Sequence, residues 1–126
     1  MTPTLRAIVL LLCAVSISAV AELALKHGMT QVGVLSFTPR EFFPALVRSF
    51  TNVFVVAGFA LAFVSAIFWI SVLSRVPLSY AYPMLSLSYA VVVFLSWLIF
   101  KEQVSLLRIV GVAVVCLGVF LVSQSR

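Results

Sequence analysis

Two sets of side chains in this sequence could do chemistry. Between Arg75 and Tyr89, the hydroxyls of Ser79, Tyr82, Ser86 and Tyr89 follow one another by three or four residues. On a helix that spacing puts them on one face, a polar stripe that could face a cavity or a partner helix. Upstream, Ala14, Ser18, Glu22 and Lys26 repeat every four residues, so a narrow face of small residues leads to an acid and a base. Glu22 is the one acid inside a long apolar segment. An ionisable residue at membrane depth is costly, which marks Glu22 as a candidate for binding a substrate or a proton. Each set also has a plainer reading: the hydroxyl stripe could only glue helices together, and Glu22 with Lys26 could form an i,i+4 ion pair that anchors a helix end near the headgroups.

Other chemistries find no footing. There is no nucleophile–base pair, no metal-ligand spacing and no phosphate-cradling glycine loop, and His27 has no ligand-type neighbour in sequence. The sequence therefore predicts neither an enzyme nor a metal or cofactor site. Cys13 and Cys116 fall in apolar runs and read as small packing residues. The net charge of +5 comes from eight basic residues scattered at segment ends, a pattern set by membrane topology rather than by nucleic acid.

The elements that must position these residues follow from composition. Of 126 residues, 64% are hydrophobic and 9% charged, against about a quarter charged in soluble domains. The prediction is an all-α membrane protein, a single domain over residues 1–126 with four transmembrane helices at about 5–27, 51–74, 77–100 and 105–123. The first segment also resembles a secretory signal, with Ala19-Val-Ala21 like a cleavage site, but the helical pattern runs on through Glu22, Lys26 and His27, and His27-Gly28 reads as its end. Residues 37–50 mix aromatics with charges and should lie in the interface, with Phe42, Phe43, Leu46 and Phe50 dipping into the headgroup region and Arg40 and Arg48 facing phosphates; a plain linker is the alternative. Gly58, Ala62 and Ala66 have the spacing of close helix packing, and Gly111 and Gly118 lie two turns apart on one face of the last segment. Pro83 should kink the third segment and free carbonyls beside the hydroxyl stripe. Glu102, in the turn before the last segment, should cap or pair locally with Lys101 or Arg108. Arg6, Arg75 and Arg126 fall on one side of the membrane, and Arg40, Arg48, Lys101 and Arg108 on the other with Lys26 at its edge. That bias is too small to fix the orientation.

This layout resembles the small multidrug resistance branch of the drug/metabolite transporter superfamily, an EamA-like four-helix plan. Glu22 falls where that family keeps its substrate- and proton-binding glutamate, Tyr82 lies five residues after Pro77, and Gly111-Val-Ala-Val-Val-Cys-Leu-Gly-Val119 matches its dimer-forming pattern. The resemblance implies half a transporter, paired with an inverted second protomer in a homodimer or a heterodimer. The drug exporters carry a tryptophan where this chain has Leu85, and Lys26 would repel a cation. The run Val76-Pro-Leu-Ser-Tyr-Ala-Tyr-Pro-Met-Leu-Ser-Leu-Ser88 looks instead like the paired subunits that flip aminoarabinose-modified undecaprenyl phosphate. Those subunits have an amide at the Glu22 position and a lysine at that of Lys26.

Three functions follow from these resemblances. The first is a flippase for a polyprenyl-phosphate-linked sugar or related anionic lipid in the bacterial inner membrane. Lys26 would hold the phosphate with Arg40 and Arg48 as loop contacts, Glu22 would orient Lys26 or bind a sugar hydroxyl or proton, and Ser18, Ser79, Tyr82, Ser86 and Tyr89 would line the sugar path. The second is a proton-coupled exporter of organic cations working through Glu22. The third is a non-transporting membrane subunit of a glycolipid-modifying complex.

Overall fold

The computed structural model describes residues 3–125, with side chains from Leu5 onward, and all the regular structure among them is helical. Six helices, α1 (Pro3–Val32), α2 (Phe42–Thr51), α3 (Val53–Leu73), α4 (Leu78–Leu85), α5 (Leu87–Ile99) and α6 (Leu106–Gln124), make four spans, because α4 and α5 together cross once. With no water in the hydrocarbon core to satisfy backbone N–H and C=O groups, uninterrupted helices are the form such apolar runs must take. The spans at Val53–Leu73, Leu78–Ile99 and Leu106–Gln124 are 21, 22 and 19 residues long. At 1.5 Å per residue each covers about 28–33 Å, the thickness of the hydrocarbon core. The first, Leu5–Val32, has 28 residues and a length of about 42 Å, so it tilts or projects beyond that core.

α1 and α3 are the closest pair, running antiparallel. A Cβ on Gly58 would lie 2.7 Å from Leu25 Cγ and 3.0 Å from the Ala21 carbonyl oxygen, and one on Gly28 would lie 2.6 Å from Val55 Cγ2. Glycine at both positions is what allows this approach. Gly28 is thus a packing residue inside α1; the helix ends instead at Gly33, whose φ of 99° suits glycine and whose N–H bonds the Met29 carbonyl at 2.9 Å. Deeper in the pair, Ser65 Oγ donates to the Ala14 carbonyl at 2.8 Å, and both residues are buried. Asn52 caps α3, its Oδ1 accepting from the N–H groups of Phe54 and Val55 at 3.0 and 3.3 Å, while its Nδ2 donates to Gln31 Oε1 of α1 at 2.9 Å.

The other helices pack more thinly. Leu11, Val15, Val72, Ala81, Met84 and Val119 form a core at the end of the bundle where α1 begins. From α6 only Val119 is buried, with Val115 packed beside it; a methyl group at Gly111 or Gly118 would have no atom within 4 Å, so both glycines face open space. α2 lies on α1 and α3 through buried Ala45 and Ser49 and turns Phe43, Val47 and Phe50 outward. Phe42 stacks on Phe37, and Arg40 and Arg48 are exposed. Both cysteines are free, and no group of metal-ligating residues occurs among the described residues. Arg126 lies outside the described residues.

Candidate functional site

The third span breaks at Ser86, three residues beyond Pro83. Pro83 has no N–H to give the Ser79 carbonyl, and the chain tightens after it: Ser86 N–H bonds the Pro83 carbonyl and Tyr89 N–H the Ser86 carbonyl, both at 3.0 Å and both i to i+3. This break faces Glu22. Ser18, Glu22, Leu85, Ser86, Ser88 and Tyr89 line one cavity of about 210 Å³, and Ser18 Oγ donates to Glu22 Oε1 at 3.4 Å. Ser88 and Tyr89 stand midway along the span Leu78–Ile99, so the cavity sits near the middle of the membrane.

A neighbouring cavity of about 220 Å³ shares Ser18 and Leu85 with the first and adds Ala14, Ala62, Ser65, Ala66 and Trp69. Trp69 also meets Tyr82 edge-to-face, with ring centroids 5.9 Å apart. A continuous strip therefore runs from Glu22 through Ser18 and Trp69 to Tyr82.

The expected hydroxyl face thus divides. Ser86 and Tyr89 join Glu22 and Ser18, and Tyr82 connects through Trp69. Ser79 does not join them; it lines a separate cavity of about 470 Å³ with Ile8, Tyr80, Ser123 and Ser125 at the opposite end of the third span. Ser88 was not anticipated, because on a regular helix it points about 200° away from Ser86, and only the break turns it into the cavity. A proline, Pro83, followed within five residues by Ser86 and Ser88 was the available signal.

Lys26 takes no part in this cavity. Its Nζ lies 3.8 Å from Glu102 Oε1 in the α5–α6 turn, with the two side chains 55% and 40% exposed. The expected Glu22–Lys26 pair does not form, and neither does the local pairing of Glu102. The α6 N-cap belongs to Ser105, whose Oγ accepts from Arg108 N–H at 3.2 Å, and the Arg108 side chain donates to the Gln103 carbonyl at 3.5 Å. Beside Lys26, His27 packs edge-on to Phe54 at 4.4 Å. Arg40 and Arg48 lie on the α2 side of the bundle, apart from the mid-membrane cavity.

A carboxylate and several hydroxyls held at mid-membrane by a broken helix, in a four-span bundle, define a membrane transport protein. The chain belongs to the EamA-like transporter family, which it matches over residues 5–124. It is 32% identical over its whole length to the probable 4-amino-4-deoxy-L-arabinose-phosphoundecaprenol flippase subunit ArnF of Shewanella sediminis, covering 93% of that protein. It is 36% identical to the ArnF of Yersinia enterocolitica, over 82% of this chain and 83% of the relative. The probable ArnE subunit of the same flippase from Proteus mirabilis is 37% identical over 59% of this chain and 66% of its own length. No solved structure gives a significant match. The four spans and these relatives mark a multi-pass protein of the bacterial inner membrane.

Proposed function

We propose that this chain is one subunit of a dimeric, non-enzymatic flippase that carries a polyprenyl-phosphate-linked amino sugar across the inner membrane. The observation that carries this reading is the mid-membrane cavity in which Glu22 stands with Ser18, Ser86, Ser88 and Tyr89. A carboxylate accepts from an ammonium or from sugar hydroxyls, and serine and tyrosine hydroxyls both donate and accept, so the set matches a small polar headgroup bearing an amine. The substrate for which the relatives are named, a 4-amino-4-deoxy-L-arabinose linked through phosphate to undecaprenol, has those groups. Tyr82 and Trp69 would extend the sugar path, and Ser79, in a cavity of its own, lies off it. Lys26, Arg40 and Arg48 fall at one face of the membrane and would meet the phosphate at that surface. The partner would be a second four-helix protein of the same kind, seated on the α6 face of Gly111 and Gly118.

The test is lipid flipping in proteoliposomes containing this chain and its partner. Glu22→Leu, which removes the acceptor altogether, should slow flipping of the amino-sugar lipid at least tenfold, the loss expected for one charge-assisted hydrogen bond. Lys26→Ala should raise the lipid concentration needed for half-maximal rate. Wild-type rates in both variants would overturn these roles.

A second reading has one observation in its favour. Because Lys26 turns to Glu102, no cation among the described residues lies against Glu22, which leaves the carboxylate able to take an organic cation or a proton in turn. Substrate-driven proton release from purified protein on adding guanidinium or quaternary ammonium compounds, lost in Glu22→Gln, would favour such an exporter over the flippase.

A further inference from the structure

Two cavities between α5 and α6 take no part in the Glu22 site. One, of about 450 Å³, is lined only by apolar side chains, among them Val93, Phe94, Ile109 and Val112. The other, of about 590 Å³, lies over the α5–α6 turn and is lined in part by Lys101, Glu102 and Gln103. Trp97 and Val104 border both, so the two make one groove that passes from hydrocarbon depth to headgroup level.

The polar end of this groove is unevenly charged. Glu102 on its wall is reached by Lys26 at 3.8 Å, Lys101 is exposed beside it, and Arg108 bonds the carbonyl of Gln103. Three cations and one carboxylate thus lie in or against this turn, and only Lys26 pairs with the carboxylate. Lys101 is also the one non-glycine residue with positive φ among the described residues, at 53°, a conformation that glycine takes more cheaply. The turn therefore carries a cation where backbone preference alone favours glycine.

We infer that this groove binds a prenyl phosphate lipid, its tail lying between α5 and α6 and its phosphate against Lys101. This rests on the flippase reading and adds where the lipid is held while its headgroup moves. An apolar trough between a single pair of helices suits one long tail rather than the two of a bulk phospholipid. A cationic mouth at the headgroup end complements a phosphate. Lys26 is the second phosphate contact: its exposed pair with Glu102 is weak and easily exchanged for a stronger anion.

Trp97, on the shared wall and 54% exposed, is a built-in reporter. The experiment titrates the purified full chain in detergent with undecaprenyl phosphate and follows tryptophan emission, with Trp97→Phe as the blank. Undecaprenol, inorganic phosphate and dioleoylphosphatidylglycerol serve as controls. Undecaprenyl phosphate alone should give a saturable shift. Lys101→Gly should raise the melting temperature by relieving the backbone yet weaken binding at least tenfold, which separates loss of the charge from loss of the fold. Val112→Phe, which narrows the trough, should weaken it similarly. An equal response to phosphatidylglycerol or to inorganic phosphate would overturn the assignment. So would undiminished binding of undecaprenyl phosphate in both variants, and that result would leave the flippase reading standing. Failure of undecaprenyl phosphate to bind wild type would remove both.

Discussion

Gly58 and Gly118 are the same residue in similar apolar helices, yet their tolerance of substitution should be opposite. At Gly58 a methyl group meets the Leu25 side chain and the Ala21 carbonyl oxygen, and that backbone oxygen cannot step aside. Gly58→Ala should therefore lower the stability of the purified chain by about 1–3 kcal/mol in a denaturant titration in mild detergent, the usual range for overpacking. Gly118→Ala meets open space and should change that stability by no more than about 1 kcal/mol. Ser65 offers a hydroxyl counterpart. Its bond to the Ala14 carbonyl crosses from α3 to α1, so Ser65→Ala should cost about 1 kcal/mol, typical of a hydrogen bond between membrane helices. The close spacing at Gly58 was legible from residue type, because Gly58, Ala62 and Ala66 recur every four residues. The bond from Lys26 to Glu102 was not, since the partners are far apart in sequence and no periodicity joins them.

Among the elements, the break in the third span matters most to the candidate site. Pro83 was legible as a source of a kink; that the break falls at Ser86 was not, because its place depends on which carbonyls find donors once the Ser79 carbonyl has lost its own. Pro83→Ala restores that donor. It should straighten the span, turn Ser88 out of the cavity and lower flipping severalfold while leaving the helix at least as stable, which circular dichroism and transport on one preparation would check together. The junction of α1 with α3 depends on Asn52, which caps one helix and holds the other. Asn52→Ala loses both roles and should cost about 1–2 kcal/mol in the same denaturant assay. The end of α1 shows the limit of local reading: Gly28 resembles a terminus in sequence, yet its lack of a side chain serves contact with Val55, while Gly33 provides the turn.

At the scale of the whole molecule, four spans follow from apolar run length alone, whereas the uneven packing among them does not. α1 and α3 are pressed together, and α6 gives the bundle little beyond Val119. Placing leucine at both Gly111 and Gly118 should therefore leave the monomer folded while abolishing dimers in crosslinking experiments and stopping flipping. The uneven packing also sets an order of events during synthesis. Both partners of the tightest contact, with the Ser65–Ala14 bond and the Asn52 bridge, lie before Leu73. The residues that follow take on the order of seconds to be translated. The first hairpin can thus close in the bilayer while the fourth span is still in the ribosome, and α6 emerges beside a finished scaffold, free to find a neighbouring chain.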